Sequence, residues 1–195
     1  MVNLVKNFLK DFEKINEYYI YLIEKTKKKR YVGITNEWLI DNFYLLVEHK
    51  TNLIHEKREI QKQLKCCDSI FQYLKDIVKR YNYNISFKLL VSELNKCQKQ
   101  NNINFSYDEI SSVKLCLLFL YTRRLAVLCE EEYNSLVNKE KVAKIIKSRE
   151  EKEISLDDFL DDNISIQEDA DYIFEINNQL REIGAKSNKL FKELN

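Results

Sequence analysis

The chain has 195 residues, with 32 Lys and Arg against 31 Asp and Glu, a formal charge of +1 and no proline. So nearly neutral a balance excludes the strongly basic surface of a duplex-binding protein, and 45% hydrophobic residues exclude disorder of the whole chain. Gly33 and Gly184 are the only glycines, so the turn punctuation of a β protein is missing. The composition therefore predicts an all-α multi-helix bundle, about seven to nine helices in a single domain over residues 1–195.

Taken in chain order, residues 3–29 form the first predicted helix, an amphipathic element within residues 1–30. Leu4, Val5, Phe8, Leu9, Phe12, Ile15, Tyr19, Leu22 and Ile23 recur at helical spacing and make an apolar seam. Burial inside the bundle is the expected fate of so wide a seam, with docking to another chain as the alternative. Lys25 and residues 27–30 then form a basic knot, read as a solvated loop.

The second predicted helix covers residues 36–65. Trp38, the only tryptophan, shares a face with Asn42 and Leu45, and Leu39, Phe43 and Leu46 lie alongside. An amide in such a stripe needs a partner, and Asn42 is expected to find it on another helix and so set the register of packing. Ser69 with Gln72, Ser106 with Glu109 and Ser165 with Glu168 fit the capping box and predict three helix starts. Helices are accordingly expected over 69–81, 86–99, 107–135, 138–152, 156–162, 166–183 and 186–194, with a loop at 101–104 and a stop at Gly184. The longest uncharged apolar run, 115–122 between Lys114 and Arg123, falls far short of the roughly 20 residues that span a bilayer. Apolar on nearly every side, it predicts the central post of the bundle.

Several stretches resemble the N-terminal region of the cyclic β-1,2-glucan synthetase family, large bacterial enzymes joining a glycosyltransferase to a phosphorylase-like module. Trp38-Leu39-Ile40-Asp41-Asn42-Phe43 is similar to the family's opening motif, and Asn104-Phe105-Ser106-Tyr107-Asp108-Glu109 to its polar lead-in to a central helix. Arg123-Arg124-Leu125-Ala126 resembles the end of that helix, and residues 170–194, with Gln179-Leu180-Arg181-Glu182, the pair of helices that closes the region. The resemblance covers most of residues 36–194. It departs from the family pattern at Ser111-Ser112 and at Leu120-Tyr121-Thr122. What it implies is a helical module, since the family's sugar-transfer chemistry lies in domains beyond this region.

No reaction centre is legible. Two distant glycines exclude a dinucleotide fingerprint and a phosphate-binding loop. His49 and His55, six apart, miss the spacing of a helical zinc pair. Five cysteines, at 66, 67, 97, 116 and 129, show no Cys-x-x-Cys spacing, and their odd count argues for a reducing, cytoplasmic setting. Asp169 and Asp171 read as charges at a helix start rather than metal ligands, and Asp157, Asp158, Asp161 and Asp162 likewise. Arg123 and Arg124 point about 100 degrees apart on a helix, so one is expected to pair internally, with Glu130 to Glu132 or Asp41, while the other reaches solvent or a partner.

The sequence thus predicts a scaffold or interaction module without catalysis, cofactor, metal, nucleic acid or membrane span. Trp38, Asn42, Phe43, Arg123 and Arg124 are its packing or interface candidates. The partner would be another protein, or the catalytic domains of a parent polypeptide. An unrelated stand-alone helical adaptor is the alternative.

Overall fold

The computed structural model describes residues 2–28, 32–55 and 57–149, and all regular structure among them is helical. Six helices follow in order: α1 Val2–Lys27, α2 Ile34–His55, α3 Lys57–Arg80, α4 Phe87–Asn101, α5 Tyr107–Ser111 and α6 Val113–Arg149. The predicted helices at 156–162, 166–183 and 186–194 lie outside the described residues.

At 37 residues, α6 is about 55 Å long and serves as the spine. Its stretch from Leu115 to Thr122 is buried throughout, as the uninterrupted apolar run requires. Two apolar clusters are strung along it. The first gathers α3, α4, α5 and the start of α6, with Ile70, Leu74, Ile77, Leu90, Leu94 and Leu117 fully enclosed. The second holds Phe12, Ile15, Tyr18 and Leu22 of α1, Leu39 and Phe43 of α2, and Leu125, Ala126 and Cys129 of α6.

The seam of α1 is consumed internally. Phe8 meets Phe119, Asp11 meets Arg123, Lys14 meets Glu130 and Lys25 meets Glu140, so α1 and α6 run parallel. Against α2 the order reverses, Glu13 pairing with Lys50 and Tyr18 with Asn36, which makes α1 and α2 an antiparallel hairpin. Gly33 turns this hairpin with a φ of 78°, a left-handed value that suits glycine, and its carbonyl accepts the Glu37 amide at 3.0 Å. A Cβ at Gly33 would have its nearest neighbour at 3.9 Å, so the backbone angle rather than space calls for glycine.

Four expected boundaries are corrected. The predicted helix 36–65 is two, because Leu39 and Phe43 belong to the second cluster whereas Leu53, Ile60 and Leu64 belong to the first, and the chain changes helix between them. Ser69 starts no helix. It sits within α3, where its hydroxyl donates to the Cys66 carbonyl at 3.2 Å and to the Glu109 carboxylate, tying α3 to α5. The predicted helix 107–135 is interrupted at Ser112, since the Ser111 and Ser112 hydroxyls donate back to the Asp108 and Glu109 carbonyls at 2.8 and 2.7 Å. Beyond that break the predicted 138–152 helix is simply the continuation of α6, whose Leu136 still packs on the second cluster.

Other local signals operate as read. Ser106 and Glu109 form a complete capping box at α5. Asn102 closes α4 in the left-handed conformation, and the Ile103 amide returns to the Gln98 carbonyl at 3.1 Å. The Phe105 amide is satisfied by the buried Gln98 side chain at 2.7 Å. No helix of the described residues is long and apolar enough to cross a membrane.

Candidate functional site

The opening motif of α2 divides between two faces. Leu39 and Phe43 point inward, and the Phe43 ring stacks on Tyr19 with centroids 4.0 Å apart and lies 5.7 Å from Phe12. Trp38 is half-buried against the same cluster. Asn42 does not bond across helices. Its Nδ2 donates to the Trp38 carbonyl one turn back on α2, at 2.8 Å, so it caps its own helix instead of setting a register.

The bridging amide is Asn36, only 6% exposed. Its Oδ1 accepts the Tyr18 hydroxyl of α1 at 2.8 Å, and its Nδ2 donates to the Val32 carbonyl at 2.5 Å. Burial, with a smaller push from the Glu132 charge, drives the Tyr18 hydroxyl well above the usual phenol range. It therefore stays protonated and donates. Nothing in the local sequence distinguishes Asn36 from Asn42; only the arrival of Tyr18 does.

The outer face of α2 was not singled out by periodicity. Tyr44 is 60% exposed, and Val47 and Ile54 are each 41% exposed, at spacings that align them along one side of the helix. Thr51 lies between them, its hydroxyl folded onto the Val47 carbonyl at 2.8 Å. Exposed Glu37, Asp41 and Glu48 flank this ridge at the same helical spacing. Lys50 does not offset them, since it reaches the other way, to Glu13 at 3.0 Å and over the Phe12 ring at 4.1 Å. The face is thus an apolar ridge set in negative charge. Its signal in the sequence was Tyr44, Val47 and Ile54 standing opposite Leu39, Phe43 and Leu53.

Arg123 pairs with Asp11, whose carboxylate is almost wholly buried, and not with the acidic run at 130–132 or with Asp41. Glu130 is held instead by Lys14 at 2.5 Å, which keeps its carboxyl below the ordinary range. Further along, Glu140 receives the Tyr21 hydroxyl at 3.2 Å and the Lys25 ammonium. Arg124 lies over the Tyr83 ring at 5.9 Å, and its Nε is buried without a hydrogen-bond acceptor. Tyr83 in turn holds a left-handed φ of 63°, a costly backbone for a bulky residue, and its ring packs 6.0 Å from Tyr121. The arginine pair thus fastens α6 to two of its neighbours.

Among the described residues no group of three or more His, Cys, Asp and Glu side chains could hold a metal ion. The predicted acidic pair Asp169 and Asp171, and the four aspartates before it, fall outside the described residues. Comparison of the chain with protein-family models, with curated proteins and with solved structures returns no match.

Proposed function

We propose that this chain is a non-catalytic helical scaffold that docks an amphipathic, basic helix of a partner polypeptide along the outer face of α2. The observation that carries the reading is the ridge of Tyr44, Val47 and Ile54 bordered by Glu37, Asp41 and Glu48. A facing helix with apolar residues at spacings of three and four would cover the ridge, and lysines or arginines on its flanks would meet the carboxylates. The inner face of the same helix is anchored by Phe43 and Asn36, so the docking side is presented rigidly.

The resemblance of residues 36–194 to the N-terminal region of cyclic β-1,2-glucan synthetases extends this reading. On it, the partner is the catalytic remainder of a parent enzyme that transfers glucose from a sugar nucleotide, and this module positions that remainder without touching the sugar. A stand-alone adaptor that uses the same face on an independent protein is the second reading. The coding frame downstream of residue 195 separates the two.

The direct test is calorimetric titration with a synthetic leucine–lysine amphipathic helix, comparing the parent chain with a Tyr44→Glu, Val47→Glu double variant. Binding that weakens with salt and falls at least about tenfold in the variant supports the reading. Equal binding by both proteins overturns it. Titration of a sugar nucleotide with manganese should leave the melting temperature unchanged, and a saturable rise would replace the scaffold by an enzyme.

A further inference from the structure

Cys67 of α3 and Cys116 of α6 are each 0% exposed, sit in the same apolar cluster and are hydrogen-bonded thiol to thiol, although they are 49 positions apart in sequence. The Ser112 hydroxyl, at the break between α5 and α6, bonds to both sulfurs. The five described cysteines are all free, and these two are placed on facing helices rather than on one. We infer that Cys67 and Cys116 are a latent dithiol that closes to a disulfide under two-electron oxidation by hydrogen peroxide, stapling α3 to the spine.

The two sulfurs have different parts. Hydrogen bonds from the Cys116 thiol, and secondarily from Ser112, lower the pKa of Cys67 against the opposing effect of burial. The same bond and burial push the Cys116 thiol up, so that it stays protonated. The Cys67 thiolate attacks one peroxide oxygen; an S–O bond forms, the O–O bond breaks, and hydroxide leaves and is protonated to water. The Cys116 sulfur then attacks the Cys67 sulfenic acid. The S–S bond forms, the S–O bond breaks, and a second water departs carrying the Cys116 proton. Two thiols are oxidised by two electrons and one peroxide is reduced to two waters.

The remaining cysteines lack this arrangement. Burial raises the pKa of Cys66 and Cys97, and pushes Cys129 up to about 12, where the thiolate is negligible at neutral pH. Closing the staple would restrain the segment that contains α4 and α5, and would do so without any change in the outer face of α2.

The test is to expose the purified full-length chain to hydrogen peroxide, quench it, unfold it and titrate thiols, with peptide mapping under non-reducing conditions. The titre should fall by two from the five free thiols, a peptide pair joining Cys67 to Cys116 should appear, and dithiothreitol should reverse both. The melting temperature of the oxidised protein should rise by several degrees. Cys116→Ala should abolish the change and Cys66→Ser should leave it intact. An unchanged titre, a linkage through Cys66 or Cys97, or loss of the response in the Cys66→Ser variant would overturn the inference, and Cys67→Ser provides a second route should Cys116→Ala fail to fold.

Discussion

The two clusters along α6 are built by different means. The first is closed largely by local devices: the Ser86 cap of α4, the left-handed Asn102, the capping box of Ser106 and Glu109, and the turn at residues 81–86. The second is closed by contacts between residues far apart, the Tyr18–Asn36 bond and the ion pairs that stitch α1 to α6. Local closure leaves the first cluster wrapped on most sides. Long-range closure leaves the second with α2 covered on its inner face only, and that is where the docking ridge lies.

The largest test of this contrast asks whether the clusters stand or fall together. Leu117→Ala, in the first cluster, should cost about 2–5 kcal/mol of stability through lost burial and a cavity. Trp38 reports on the second cluster, so its fluorescence in urea should shift to lower denaturant in step with far-ultraviolet circular dichroism. Separate transitions would show that the spine does not couple them.

Next in size is the polar bond that fixes the α1–α2 hairpin. Asn36→Leu removes the acceptor of the buried Tyr18 hydroxyl and should cost about 1–3 kcal/mol in urea unfolding. Asn42→Leu, which loses only a bond within its own helix, should stay within about 0.5 kcal/mol of the parent. Reversal of that order would restore Asn42 as the register-setting amide.

The smallest effect is a pH dependence confined to the first cluster. Lys96 beside the buried Glu93 holds its carboxyl below the ordinary value of 4.5, against burial and with help from Tyr81 and Arg80. A lowered folded-state pKa means that the stabilisation is complete above the unfolded value and disappears as pH falls through the folded one. Melting temperatures measured from pH 6 downward should therefore fall below about pH 4.5, and less steeply in Glu93→Gln. Identical slopes would assign the acid sensitivity elsewhere.

What the residues announced in advance were the features determined by periodicity and by neighbours close in sequence. The enclosed stretch of α6, the buried seam of α1 and the cap at Ser106 are of this kind. Ser69 has the same local pattern as Ser106, but a cap matters only where the chain has already turned, and α3 passes straight through it. The choice between Asn36 and Asn42, and of Asp11 as the partner of Arg123, depended on which helix came to lie opposite. Tyr83 shows the same limit, for its strained backbone is tolerated only beside the Tyr121 ring and Arg124.

The parallel pairing of α1 with α6 also governs how the chain is born. Asp11 and Arg123 are 112 positions apart, and Lys14 and Glu130 are 116. At roughly 5–20 residues per second on the ribosome, α1 emerges about 5–20 seconds before the surface that will cover it. During that interval α2 is the only neighbour able to shield its seam, and the early hairpin, clasped by Tyr18 and Asn36, becomes the nascent chain's guard against aggregation.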